Sequence, residues 1–191
     1  METLFIFIGI LVLLVIMIIT IHNGIISRRN TVVRSWSNVI TYERQKNVTL
    51  PELEKHAAEY KEHESELLSK ITALRSAIDQ ASSGEVRTDD LKAIETHTAS
   101  MLGSFKVAVE AYPNLEMASI TKSLMKEISE LQENIAAAIT IFNRNVEAFN
   151  TGIQTFPNSL VNSMFTKEQS YQSFQNEAAV DSLGFTLQRG E

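Results

Sequence analysis

The sequence predicts an all-α protein: a single N-terminal transmembrane helix followed by an antiparallel four-helix bundle. Three observations predict it. Residues 3–21 carry no charge, and only Thr3, Gly9 and Thr20 interrupt their apolar side chains. Beyond them, apolar residues recur in steps of three and four over long stretches, the period of a helix. Breakers are scarce, with seven glycines and three prolines in 191 residues.

The apolar run comes first. At a rise of ~1.5 Å per residue it is about as long as a bilayer core is thick. It lacks the polar stripe of a helix lying on a soluble core. A cleaved leader would start with Lys or Arg and end on a small-x-small site. Here the start carries Glu2, and Thr20-Ile-His-Asn-Gly24 offers no such site. Residues 1–24 are therefore read as a retained anchor, with His22-Asn-Gly24 as a bend or hinge, or simply the exit from lipid. Arg28, Arg29 and Arg34 flank its C-terminal side, and no Lys or Arg precedes it. That asymmetry puts the N-terminus outside and the body in the cytoplasm.

Residues 25–157 are read as the bundle. Its first helix carries Ile25, Val32, Val33, Trp36, Val39 and Ile40 on one stripe. Trp36 lies roughly 22 Å along the helix from the end of the apolar run, too far for a membrane belt, so it reads as a core anchor. This helix is expected to end near Asn47, with a restart at Thr49-Leu-Pro51-Glu52, where proline and acids suit a first turn. A second helix then carries Leu53, Ala57, Tyr60, Glu64, Leu67, Ile71, Leu74 and Ile78 in an unbroken heptad-like, coiled-coil seam. Glu64 is the wrong residue type for that seam, and His63 adjoins it. A polar break over residues 82–89 precedes a third helix with Leu91, Ile94, Thr98, Met101, Phe105, Ala108 and Tyr112; Thr88 reads as its N-cap, with Asp89 and Asp90 in its first turn. Tyr112-Pro113-Asn114 ends it. The fourth and longest helix runs from Ile120 to Ile153 and is closed by Gly152 and Phe156-Pro157. Residues 158–191 have weak periodicity and read as a flexible tail, with a short amphipathic piece around Leu160 to Phe165.

Composition narrows the function. A net charge of −6 argues against a nucleic-acid footprint. With no cysteine there is no disulfide, thiol catalysis or thiolate metal site. Phosphate loops and nucleophile elbows are missing. His63-Glu64 opens a zinc-protease pattern, but position 67 is Leu where the second histidine would stand. Neither His56, His63 nor His97 follows a Glu at the Glu-x-x-His spacing of a di-iron bundle. No cofactor is implied and the chain reads as non-enzymatic. A cryptic metal-dependent enzyme would have to use His56, Glu59, His63 and Glu64, of which 56, 59 and 63 would share a face of an unbroken helix. The plainer reading makes Glu64 a seam polar group bonded across helices, with Asn143 and Asn150 as candidate partners for it or for His63.

A set of short stretches resembles the LemA family. They are His22-Asn-Gly-Ile-Ile-Ser-Arg-Arg-Asn30, Val33-Arg-Ser-Trp36-Ser-Asn-Val-Ile, Leu50-Pro-Glu-Leu53 and Glu59-Tyr-Lys-Glu-His63-Glu64. Further along come Ala111-Tyr-Pro-Asn-Leu115, Glu133-Asn-Ile135, Phe142-Asn143-Arg-Asn-Val146-Glu-Ala-Phe-Asn150 and Phe156-Pro157. The resemblance spans about residues 22–165. It implies a bacterial protein with one N-terminal membrane helix and a four-helix bundle, and it brings no established enzymatic activity.

The expected function is a membrane-anchored scaffold or interaction protein of the bacterial cell envelope. Its partners would be the lipid bilayer and either copies of itself or other membrane proteins. A lipid-organising, membrane-shaping protein is the alternative. The expected interaction residues are His63, Glu64, Asn143 and Asn150, with Arg28, Arg29 and Arg34 as the basic flank. The topology is checked by C-terminal reporter fusions: a cytoplasm-dependent reporter should be active and an export-dependent one silent, and the reverse would overturn the orientation.

Overall fold

The computed structural model describes residues 1–113 and 117–175. The regular structure among those residues is helical, with no strand. The long helices are α1 (Glu2–Ala57), α2 (Glu64–Ala81), α3 (Thr88–Ala111) and α4 (Met117–Gln154). A single turn, α5 (Asn158–Val161), runs into a π-helical turn, Asn162–Thr166. The chain falls into two units. Of the described residues, 1–49 and 126–172 form the first, and 50–113, 117–125 and 173–175 form the second.

α1 is one helix of 56 residues. It passes through Gly24 without a hinge and through Pro51 without a stop. An interior proline costs a helix about 3 kcal/mol, so tertiary packing must carry the chain past it. The packing is a seam on one face: Ile25, Val32, Trp36, Val39, Glu43, Lys46, Leu50, Leu53 and Ala57 are all buried. With half-buried Arg29 they step alternately by four and three, so the expected stop near Asn47 falls in mid-seam. The break comes later instead. Residues 58–63 form turns, closed by Tyr60 N–H to Ala57 O at 3.1 Å and His63 N–H to Tyr60 O. The second helix of the sequence reading is thereby cut, and its N-terminal part belongs to α1.

In the first unit, Trp36 meets Phe142 with ring centroids 5.4 Å apart. Thr49 Oγ1 donates to Glu127 Oε1 at 3.1 Å. Arg28 lies across Gly152, its Cδ and Cζ each 3.3 Å from where a Cβ would stand. Rising numbers on α1 thus meet falling numbers on α4, and the two segments run in opposite directions. Trp36, with 1% of its surface exposed, is the core anchor expected of it.

The expected flexible tail is partly built into this unit. The Asn162 side chain accepts from Glu168 N–H at 3.0 Å and donates to Glu168 O at 3.1 Å. Lys167 takes the left-handed conformation, with φ at 54°, and reverses the chain. Glu168 then pairs with Arg29 at 3.3 Å. Tyr171 follows against α4, its ring 5.4 Å from that of Phe149. The rest of the expected tail, residues 176–191, lies outside the described residues.

In the second unit, α2 and α3 pair along their length. Ser104 Oγ donates to Glu66 Oε1 at 2.7 Å near one end, and Gln80 Nε2 to Asp90 Oδ1 at 3.4 Å near the other. Leu67, Ile71, Leu74 and Ile78 of α2 and Leu91, Ile94, Met101 and Phe105 of α3 are buried. Between the helices, Gly84 sits at φ +95°, which a side chain would oppose. Thr88, expected as N-cap, is already helical. Arg87 precedes it and grips Asp90 through Nε at 2.9 Å and Nη2 at 3.1 Å.

Glu43 and Lys46 sit in the α1 seam with Lys46 Nζ 2.7 Å from Glu43 Oε2, both side chains essentially without solvent. Burial pushes the Glu43 carboxyl above its ordinary range, against the pull of Lys46. A carboxyl raised in the folded state contributes stability that is complete below its unfolded pKa and lost as pH rises through the folded one. Denaturation midpoints should therefore decline as pH rises out of the ordinary glutamate range, and Glu43→Gln should flatten that decline. Truncating one partner strands the other and should cost about 3–5 kcal/mol, whereas Glu43→Leu with Lys46→Leu should be neutral or stabilising. Chemical denaturation across pH checks both.

Candidate functional site

His63 and Glu64 lie where α2 begins, in the second unit. Glu64 opens the helix together with Glu66 in its first turn, where a carboxylate complements the positive end of the dipole. Its polarity in an apolar-stepped series is thus explained by the helix start at that residue. His63 occupies the N-cap position in a helical conformation and makes no capping bond. Its ring instead meets Tyr112 edge-on at 6.3 Å.

Tyr112 is the centre of a small aromatic group that the sequence reading divided between the second and third helices. Tyr60 also stands edge-on to it at 6.3 Å. The Tyr60 hydroxyl, fully buried, donates to Thr121 Oγ1 at 3.1 Å. Burial pushes the Tyr112 phenol above its usual range, and the hydrogen-bonded Glu62 carboxylate adds to the rise. The turn after α1 therefore brings Tyr60 and His63 to the end of α3. The signal that could have located this turn is the run Glu59-Tyr-Lys-Glu-His63, in which Tyr60 alone is buried.

The turn removes the geometry expected of a metal enzyme. His56 lies in the last turn of α1, and Glu59 is exposed in the turn beyond it. Residues 56, 59 and 63 consequently share no helix face. Among the described residues no group of three or more His, Asp or Glu side chains could hold a metal ion.

Asn143 and Asn150 lie on α4 in the first unit. Asn150 spends its amide on the returning chain: Nδ2 donates to Tyr171 O at 2.8 Å and Oδ1 accepts from Tyr171 N–H at 3.0 Å. Its partner is the tail backbone rather than Glu64 or His63. The basic flank divides likewise. Arg29 holds Glu168, Arg28 covers Gly152, and Arg34 is exposed.

The first unit also carries an open groove of about 410 Å³ between α1 and α4. Ser35, Asn38, Thr41, Tyr42 and Gln45 line one side, with Asn134, Ala137, Ala138 and Ile141 on the other. None of these residues is charged. Tyr42 and Ile141 are exposed at its rim. Such a lining can receive an uncharged helix or chain segment, but it holds no nucleophile–base pair. On the same helix, the buried Glu43–Lys46 pair escaped the sequence reading. The seam continued through those positions, and following its steps from Trp36 would have exposed two charges inside it.

These features define a class: a helical protein with one apolar N-terminal helix and polar surface grooves, without an assembled catalytic constellation among the described residues. The LemA family signature matches residues 35–182, and the chain belongs to the LemA family. Among curated proteins it is similar to Protein LemA of Metamycoplasma hominis, 27% identical over 134 residues. That alignment covers 70% of this chain and spans 60% of the length of the relative. No solved structure matches.

The Asn150 clamp gives a direct test. Asn150→Ala removes both side-chain bonds to the Tyr171 backbone and should release the segment around it, at a cost of about 1–2 kcal/mol. Hydrogen exchange should accelerate from Glu168 to Tyr171, with the amides of α2 and α3 unchanged.

Proposed function

We propose that this chain is a membrane-anchored helical scaffold that docks copies of itself or other membrane proteins at the inner face of a bacterial cell membrane, without catalysing a reaction. One observation carries the reading. α1 begins with an apolar stretch of which no part is buried by protein, and without interruption becomes the buried seam that starts at Ile25. A helix that is wholly apolar and bare over a bilayer's thickness needs lipid around it, and a continuous backbone then fixes the packed part to the membrane. The reading includes a single pass with the N-terminus outside, and a bundle of the four long helices in alternating directions. The opposed α1–α4 and α2–α3 pairs support that arrangement.

The uncharged groove and its exposed rim supply a docking surface of the kind a scaffold needs. Because the chain has no cysteine, single-cysteine variants report individual positions. Ile141→Cys, at the rim, should give a defined crosslinked species in native membranes. Lys122→Cys, an exposed control, should not. A strict monomer that crosslinks at Ile141→Cys neither to a second copy nor to any other membrane protein, in membranes and in detergent, would falsify the scaffold reading.

A further inference from the structure

Four large apolar side chains are exposed near the end of the described chain: Phe156 at 82%, Leu160 at 55%, Met164 at 62% and Phe165 at 53%. Their place in the first unit follows from two fixed points. α4 descends alongside α1 until Gly152 stands against Arg28. The returning chain is next held where Glu168 pairs with Arg29. Both points lie at one level of α1, a little beyond the apolar run. Because α4 runs opposite to α1, the loop 153–167 extends from that level toward the run and comes back. Ile18, Ile21 and His22, exposed only in part, lie on the side of α1 that leads into buried Ile25, whereas the apolar run before them is bare. The loop thus lies beside the end of the apolar run.

Its composition suits a lipid surface. Residues 156–167 contain no acidic side chain, and Lys167 follows the apolar four. Asn158, Ser159, Asn162 and Ser163 are interspersed with them. The loop is also held from several sides. Asn158 Nδ2 donates to Gly152 O at 3.0 Å, and Asn162 binds both polar groups of the Glu168 backbone. Apolar groups displayed on so constrained a turn lose little conformational entropy on being covered. Their cover must be continuous with whatever surrounds residues 3–21.

We propose that residues 156–166 form a second membrane contact, an in-plane foot whose Phe156, Leu160, Met164 and Phe165 enter the interfacial layer of the leaflet from which α1 emerges. The proposal rests on the reading of residues 3–21 as a bilayer span. Amphipathic segments of this kind sit about 5–10 Å into the headgroup and acyl boundary. The foot and α1 together hold the first unit at two points, which opposes rotation about the helix axis.

The test uses the full chain in vesicles of phosphatidylethanolamine and phosphatidylglycerol. An environment-sensitive fluorophore is placed in turn at Ile10→Cys, Leu160→Cys, Phe165→Cys and Val107→Cys. Lipids carrying a spin label deep in the acyl chains should quench Ile10. Lipids labelled just below the headgroups should quench Leu160 and Phe165 strongly and leave Val107 unquenched, as interfacial depth predicts. Aqueous iodide should reach Val107 and spare the other three. If Leu160 and Phe165 behave like Val107 while Ile10 is lipid-quenched, the foot is wrong and the span stands. If Ile10 is not lipid-quenched, the span reading fails and the foot with it. If Leu160 and Phe165 are shielded from both quenchers and self-quench as protein density rises, a second copy covers the patch and the proposal is overturned.

Discussion

The seam on α1 is the constraint on which the rest of the structure depends. From Ile25 to Ala57 its buried positions alternate steps of four and three, a phase that keeps one face of a helix toward its neighbours. In the first unit, α4 is placed by what that face requires. Trp36 needs a ring partner and finds Phe142. Pro51 cannot end a helix whose flanking residues Leu50 and Leu53 are both fully buried. The seam also takes in Glu43 and Lys46, an ion pair inside an otherwise apolar series. Such a pair adds little net stability, but it penalises any sliding of α1 that would separate its members or set an apolar neighbour over one of them.

Much of this was legible from residue order. The apolar run, the helical period, the end of α3 before Tyr112-Pro113 and the burial of Trp36 follow from patterns that local physics makes unambiguous. The boundary between α1 and α2 did not, for a definite reason. The apolar phase from Leu53 to Ile78 continues through the turn, because Tyr60 is buried there by side-chain packing while its backbone is no longer helical. Periodicity reports which residues face a core, and a turn of suitable length preserves it. Proline and threonine at residues 49–51 gave the opposite signal, that of a boundary, and packing overrode it.

The returning segment after α4 was illegible for another reason. It is held by side-chain amides binding backbone groups, Asn162 to Glu168 and Asn150 to Tyr171, with an Arg29–Glu168 pair beside them. None of these leaves a hydrophobic rhythm. Asparagines placed between apolar neighbours were the visible trace, and they read equally well as ordinary boundary residues. Of the polar positions singled out in sequence, His63 and Glu64 belong to the second unit and Asn143 and Asn150 to the first.

The continuity of α1 has a mechanical consequence. A helix with no hinge at Gly24 behaves as a lever whose short arm is the apolar segment. From Ile25 to Thr49 the long arm measures roughly 36 Å at the usual rise per residue. If residues 3–21 span a bilayer as proposed, a change of ~10° in their inclination, well inside the spread seen for helices in bilayers, would sweep Thr49 sideways by about 6 Å. Bilayer thickness governs inclination, since a segment longer than the local hydrocarbon layer leans to fit. A rigid arm of this length would convert a small change in membrane thickness into a displacement larger than a side chain.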